Sequence, residues 1–325
     1  MRSPSSLLLT GGAGFIGSSV AEQLLADSRL QRLVILDALS YAGDRQRLRR
    51  VLPDPRVRFV HGDIRDQALL ARLFEESAFS GILHLAAESH VDRSLESPLD
   101  FVSTNVLGTS CLLEAARRHQ VPFLFCSTDE IYGPTPFPKK FTEIAPPRPS
   151  SPYSASKAAA EHLVLAAHCS YGQDVVIARP SNNYGPRQHP EKLIPKFITQ
   201  ATRDEALPLY GSGRQIRDWL HVEDCARGLI AAFLHGRPGR AYNLSAEYER
   251  TNLGLARLIL KLLGKPESLI SHVADRPGHD ARYAIDPRLA RYQLQWRPRI
   301  SFLRGFKDCV REIAAHESLR QGQRP

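Results

Sequence analysis

Tyr153 and Lys157 stand four residues apart just behind Pro152, in Tyr153-Ser154-Ala155-Ser156-Lys157. On a helix this spacing stacks both side chains on one face. A phenol, with an ordinary pKa of about 10, becomes a usable base when a nearby ammonium favours its phenolate. Thr128, Asp129 and Glu130 follow one another where the apolar run Phe123–Ser127 ends. Strand neighbours point to opposite faces, so these three converge on one ligand only where the chain turns. Two carboxyls whose surroundings push their pKa values apart can act as an acid and a base; as plain loop charge they do neither. A third cluster runs from His84 to Arg93, HLAAESHVDR. Its small Ala86 and Ala87 admit a cofactor close to the backbone. The polar residues after them either meet a cofactor ribose or substrate, or form a solvated loop.

These clusters need something to act with, and the N-terminal segment offers it. Thr10-Gly11-Gly12-Ala13-Gly14-Phe15-Ile16-Gly17 follows an apolar run and opens a helical pattern. Glycines at 11, 14 and 17 allow a tight turn, close approach of a pyrophosphate and close helix–strand packing. The helix N-terminus adds unpaired N–H groups and partial positive charge for a phosphate. Asp37 ends the second apolar run, 20 residues past Gly17. A carboxylate there accepts bonds from ribose hydroxyls and repels a 2′-phosphate, which selects NAD over NADP. Asp63, before Ile64, lies beside an adenine or caps the next segment.

The elements that must position these groups are legible as alternation. Strands are predicted at Ser6–Thr10, Leu33–Asp37, Val57–Gly62, Gly81–Ala86, Phe123–Ser127 and Val175–Arg179. Helices are predicted at Phe15–Ala26, Asp66–Ser77, Pro98–His119 and Tyr153–Tyr171. Such βαβ cadence builds a parallel sheet covered on both faces. All three clusters then fall at the carboxyl ends of strands, where open parallel sheets hold their ligands. After Pro180 turn-rich segments interrupt helices near 190–203, 223–234, 252–263 and 302–314, a smaller and less regular unit.

Taken together these residues resemble the extended short-chain dehydrogenase/reductase superfamily, and more narrowly its dTDP-glucose 4,6-dehydratases. The resemblance runs from Leu7 to Asp286 through TGGAGFIG (10–17), DALSYAG (37–43), HLAAESHVDRS (84–94), STDEIYG (127–133), SPYSASK (151–157), SNNYGP (181–186), PEKLIP (190–195), LPLYGSGRQIRDWLHVED (207–224), YNL (242–244) and DRPGHDARYAID (275–286). It implies an α/β fold, a doubly wound parallel-sheet Rossmann domain with a smaller α/β substrate domain. The expected boundaries are residues 1–187 with 219–245 for NAD, and 188–218 with 246–325 for a nucleotide sugar. It also implies a reaction with no net redox change. Tyr153 takes the C4 hydroxyl proton as hydride leaves for NAD, with Thr128 bonded to that oxygen and Lys157 beside it. Glu130 removes the C5 proton while Asp129 protonates the departing C6 hydroxyl. In related epimerases the Asp129 position is typically a serine.

By the same resemblance NAD would be lined by Gly11, Gly14, Phe15, Ile16, Gly17, Asp37, Ala38, Leu39, Ser40, Gly43, Asp63, Ile64, Leu85, Ala86, Ala87, Thr104, Tyr153, Lys157 and Asn183. The nucleotide sugar would be lined by Ser89, Thr128, Asn182, Lys192, Leu193, Pro208, Leu209, Tyr210, Arg217, Asn243, Asp275, Arg276, Pro277, Gly278 and His279. Lys192 and Arg217 suit a diphosphate, because cations pair phosphate oxygens and a guanidinium does so bidentately. The long helices near 98–119 and 153–171 would pair across a homodimer.

Composition narrows the field. At 325 residues, with 42% hydrophobic and 24% charged, the chain is an ordinary globular one. No apolar stretch approaches the roughly 18 residues of a membrane helix. Five scattered cysteines and no C-x-x-C pair speak against a disulfide framework or a metal site, and a reducing cytoplasm is expected. The net charge of +9 comes mostly from arginine, since only eight residues are Lys. No nucleic-acid-binding module accompanies it. The rival expectations are a UDP-sugar dehydratase (UDP-glucose or UDP-N-acetylhexosamine) or epimerase of the same superfamily, and a catalytically silent NAD-binding scaffold.

Overall fold

Short Leu-, Val- and Ile-rich runs alternate with amphipathic ones, and in the computed structural model they become strands and helices in that order. Residues 2–322 are described, so the domain ends placed at 1 and 325 lie outside them. Strands β1 (Ser6–Thr10), β2 (Arg32–Asp37), β3 (Val57–His61), β4 (Gly81–His84), β5 (Phe123–Cys126) and β6 (Val175–Pro180) match the predicted runs to within two residues. After Pro180 come β7 (Asn182–Tyr184), β8 (Leu207–Tyr210), β9 (Ile216–His221), β10 (Arg240–Leu244), β11 (Glu249–Thr251) and β12 (Ile270–Val273). One sheet of seven parallel strands has the order β10-β6-β5-β4-β1-β2-β3. β10 is absent from the predicted strands, because Arg240-Ala241-Tyr242-Asn243-Leu244 has little strand propensity of its own. Pairing with β6 at the sheet edge makes it a strand.

Leu7 and Leu9 face one side of the sheet and Leu8 the other, as strand alternation requires. On the first side α1 (Phe15–Leu25) packs with Val20, Ala21 and Leu24. The second side takes α2 (Gln67–Glu76) through Leu70 and Leu73. Then come α3 (Val91–Glu96) and α4 (Pro98–Phe101), a π-helical segment Val102–Gly108, and α5 (Thr109–Arg118). The helix expected over 98–119 is therefore interrupted by a wider turn. Next is α6 (Pro152–Tyr171), begun by a Ser151/Ser154 capping box and ended at Gly172 in the left-handed region.

The smaller unit is built around α7 (Leu193–Thr202), with α8 (Val222–His235) returning to the large sheet through Leu229 and Phe233. α9 (Asn252–Leu263) and α11 (Phe302–Gly322) join α7 over Phe197, Ile198, Leu207, Leu255, Ile259 and Phe306. Between them α10 (Arg288–Gln293) packs against the main core through Ala290. The small sheets have the orders β11-β9-β7 and β12-β8. β9 ends at His221 and α8 begins at Val222, so the chain passes directly from one unit to the other.

Candidate active site

Strand order reverses around β1, which is flanked by β2 and β4, and the carboxyl ends there form the crevice where such sheets hold ligands. Gly11 has φ of 70°, and a Cβ on it would stand 2.6 Å from the Ala86 nitrogen. A Cβ on Gly17 would stand 2.1 Å from the Gly11 carbonyl oxygen. The turn is thus pressed between α1 and the backbone following β4. No side chain caps α1 at Gly14, so its first N–H groups are free for an anion.

Asp37 is buried, and its two oxygens accept from the Ala13 and Leu39 N–H groups, each at 2.8 Å. Burial raises its carboxyl pKa despite those two bonds. Gly43 packs so closely that a Cβ would lie 2.9 Å from an Asp37 oxygen. Ala38, Leu39 and Ser40 continue from Asp37 along the same edge. Asp63 turns back on Arg65 through three bonds of 2.6–2.9 Å, and Ile64 is buried against Gly108. Thr104, in the π segment, lines a polar cavity of about 290 Å³ with Arg65, Glu88 and Arg93. Leu85 N–H donates to the Thr10 carbonyl and Ala86 N–H to its hydroxyl.

A chain of buried hydrogen bonds joins this turn to the helix bearing Tyr153. Thr109 donates its hydroxyl to the Asn105 carbonyl at 2.6 Å, so its 2.9 Å contact with His84 Nε2 requires the proton on that nitrogen. His84 Nδ1 then accepts from Thr10 at 2.7 Å. Burial drops the imidazole pKa to about 3, so His84 stays neutral. The Asn105 amide donates to Ser156, whose hydroxyl donates to the Tyr153 carbonyl.

Lys157 is buried, donates to the Cys126 carbonyl at 2.7 Å, and lies 4.2 Å from the centre of the Phe125 ring. Burial lowers it to about 8. Tyr153 stands well above the ordinary phenol value, because burial and the Glu130 carboxylate outweigh the favourable Thr128 hydroxyl. The lowering expected from Lys157 is not seen, since the same burial disfavours both charges.

Beyond β5 the chain turns through a short 3₁₀ segment, Asp129–Tyr132. There Thr128 accepts from Glu130 N–H and donates to Asp129 at 3.4 Å. This turn lets three consecutive side chains share one crevice. Asp129 is raised well above its ordinary value, by burial first and then by the neighbouring Glu130 and Asp218 charges. Glu130 is raised by burial but opposed by Arg217, Arg276 and Lys192. Both carboxyls are thus pushed upward, and cations oppose the shift more at Glu130 than at Asp129.

Lys192 reaches the Ser89 carbonyl at 3.0 Å, next to Leu193 at the start of α7. Tyr210 and Arg276 both bond Asp92, at 3.1 and 2.8 Å. Asp275 accepts from Gln215 and pairs with His279, and Pro277 leads into Gly278, which packs on the Ser150 carbonyl. Pro208 lies on β8, whereas Leu209 is buried in the core of the small unit. Asn243 is fully buried, its side chain taken up by Tyr132, Phe141 and Asp286. The structure does not bring it to the crevice. Asn252, unmarked in the sequence, has a buried carboxamide oxygen without a partner. Its N–H bonds the carbonyl of Gln215, two residues from Arg217. Only the return of β11 onto β9 identifies it, and no local pattern could have.

The crevice fits a dinucleotide. Ser127, just after β5, and Asn182, on β7, carry buried side-chain oxygens with no partner among the described residues. Lys157 has donors to spare, and the glycine turn leaves no room for side chains. Among the described residues no group of His, Cys, Asp or Glu could hold a metal, and no helix is long and apolar enough to cross a membrane.

Residues 8–309 match the family model for GDP-mannose 4,6 dehydratase. The chain is 46% identical over 315 residues to the dTDP-glucose 4,6-dehydratase of Mycolicibacterium smegmatis, covering 96% of this chain and 94% of that one. It is 43% identical to dTDP-glucose 4,6-dehydratase 1 of Escherichia coli, covering 94% and 91%. The crystal structure of DesIV, a dTDP-glucose 4,6-dehydratase from Streptomyces venezuelae with NAD bound, superposes with a TM-score of 0.93 at 45% identity over 97% and 98% of the chains. A Thermus thermophilus UDP-glucose 4-epimerase complex with NAD superposes with 0.87 at 33% identity over 95% and 98%.

Proposed function

The chain belongs to the dTDP-glucose 4,6-dehydratase family, and from that premise we propose that it is a lyase converting dTDP-glucose to dTDP-4-keto-6-deoxyglucose with NAD as its cofactor. The observation that carries this reading is the pair Asp129 and Glu130, adjacent carboxyls brought to one turn after β5, the first buried beside other carboxylates and the second opposed by three cations. Elimination across C5 and C6 needs one acid and one base, each typically contributing about 10²–10⁴-fold. An epimerase has no use for the pair.

Gly11, Gly14 and Gly17, the first N–H groups of α1, Asp37, Lys157 and Asn183 would hold NAD. Bound there, NAD would supply the hydride acceptor for C4 of the sugar and the hydride donor for C6. The protein's side chains do the rest. Tyr153 is assigned to accept the C4 hydroxyl proton, which requires its phenolate to be stabilised beside Lys157 once the crevice is filled, while Thr128 holds that oxygen in place. Glu130 removes the C5 proton, which the neighbouring ketone has made acidic. Asp129 gives its proton to the departing C6 hydroxyl, and a proton later returns to C5. Lys192, Arg217 and Arg276, which together face Glu130, are assigned to the diphosphate end, and Asn252 joins them as a neutral ligand.

Residues 1–187 with 219–245 are proposed as the NAD domain, and 188–218 with 246–325 as the substrate domain; the separate hydrophobic cluster around Phe197 and Ile259 supports this. A homodimer is proposed from exposed apolar side chains on the outer faces of α3–α6, among them Leu99, Val102, Leu107 and Leu163. Five free cysteines support a cytoplasmic setting.

The test supplies purified protein with dTDP-glucose and, separately, UDP-glucose, without added reductant. The 4-keto-6-deoxy product is expected from the first in preference to the second. A C4 epimer, or no product from either, rejects the assignment.

A further inference from the structure

Arg217 is 5% exposed, yet no carboxylate among the described residues pairs with it. Its guanidinium donates only to the Ile216 and Asp280 carbonyls, at 2.7 and 3.0 Å. What holds it broadside is Tyr283, whose ring centre lies 4.1 Å from the guanidinium carbon. That ring is itself fixed: Tyr283 donates its hydroxyl to Asp280 at 2.8 Å, and Ser150 donates to the same carboxylate oxygen. Ser150 precedes Ser151, the cap of the helix that carries Tyr153. Gly278 seals the junction, because a Cβ there would stand 2.7 Å from the Ser150 carbonyl. Tyr283 is buried and lies outside every group assigned to the reaction.

We infer that Tyr283 is the positioning residue of Arg217: its ring, tied through Asp280 and Ser150 to the start of the catalytic helix, presents the guanidinium to the substrate diphosphate. A cation lying on an aromatic face is held without being neutralised. A carboxylate in that place would hold Arg217 equally well but would spend the charge that the diphosphate needs. The ring leaves the outer N–H edge of the guanidinium free for phosphate oxygens. The Asp280 carboxylate bonds the tyrosine rather than the guanidinium, which keeps that anion from pairing with Arg217. The inference rests on the diphosphate role proposed for Arg217.

A double-mutant cycle decides it, read as kcat and KM for dTDP-glucose and as calorimetric affinity for dTDP, with NAD content followed as a check on folding. Tyr283→Leu should raise KM about tenfold, in keeping with a desolvated cation–π contact, and change kcat less than about threefold. Tyr283→Phe keeps the ring beneath the guanidinium but unties it from Asp280, so its KM should fall between the parent and Tyr283→Leu with kcat within about threefold of the parent. On an Arg217→Lys background, where the planar fork is gone, Tyr283→Leu should cost less than about twofold further. Should Tyr283→Leu fail to fold, Tyr283→Met replaces it as a flexible, volume-filling side chain. The inference is overturned if Tyr283→Phe is as damaging as Tyr283→Leu, if the loss falls on kcat, or if the full loss persists beside Arg217→Lys. Were dTDP-glucose not turned over by the parent protein, the proposed function would fail, while the dTDP affinities would still decide the role of Tyr283.

Discussion

Asp129 and Glu130 adjoin in sequence, yet their carboxyls keep different company. Asp129 has a buried oxygen with no partner among the described residues and two other carboxylates nearby, which favour its protonated form. Glu130 is half-buried, and Arg217, Arg276 and Lys192 oppose the upward push on its pKa. Removing one role should therefore leave the other. Glu130→Gln is expected to permit slow C4 oxidation, seen as reduced-nicotinamide absorbance, while abolishing solvent deuterium uptake at C5. Asp129→Asn should lower kcat by about 10²–10⁴-fold and still allow exchange at C5. Normal exchange in the Glu130 variant would remove that residue from its role. The pH profile belongs to the same scale. Glu130 must be ionised to act and its pKa is raised, so activity should climb with pH above the ordinary carboxylate range. Lys157 must carry its proton, and burial brings it to about 8, so kcat/KM should fall above that pH. A profile flat well into the alkaline range would mean that the Lys157 charge is not required.

At the scale of elements, the π-helical segment Val102–Gly108 turns Asn105 inward to meet both Glu88 and Ser156. A continuous α-helix has a narrower turn and a different register of inward-facing positions. Asn105→Ala should leave the Glu88 backbone groups and the Ser156 hydroxyl short of partners in a buried site, at a cost of at least about 2 kcal/mol. Calorimetric unfolding would register this as a lowered Tm, and an unchanged Tm would mean that water replaces the amide. The sequence reveals the helix but not its interruption, because VSTNVLG carries no proline or other local signal. Similar limits apply elsewhere. β1 to β6 are legible, since each is an apolar run bounded by turn residues. β10 is not, because the sheet rather than its own residues makes it a strand. Tyr153, Lys157 and the glycine turn reveal themselves by spacing. Asn252 and Tyr283 are set in place by long-range returns of the chain, β11 onto β9 and residues 278–280 onto Ser150, which spacing does not encode. Asn243 illustrates the converse: a polar residue inside a family motif that the fold spends on its own interior.

For the molecule as a whole, the positive charge has a local and a general part. Lys192, Arg217 and Arg276 lie near Glu130, Arg276 also pairing with Asp92, whereas Arg2, Arg203 and Arg282 are bound to Asp174, Glu317 and Glu249 away from it. The outer faces of the helices spanning 91–118 and 152–171 carry the opposite character. Leu99 is 78% exposed, Leu107 54% and Val102 49%, with Leu95 and Leu163 beside them at 38% each. Scattered apolar residues are normal on a surface, but these recur along two packed neighbouring helices, as a paired helical face requires. Burying such a face against a second copy would stabilise the assembly by about 25 cal/mol for each Å² of apolar surface removed from water. Lysines at its centre would instead have to be desolvated unpaired. The double variant Leu99→Lys/Leu107→Lys should therefore sediment as a monomer where the parent protein sediments as a dimer, with its circular dichroism unchanged because neither side chain contributes to the cores on the two sides of the sheet. A parent that sediments as a monomer, or a double variant that remains dimeric, would place the contact elsewhere or remove it.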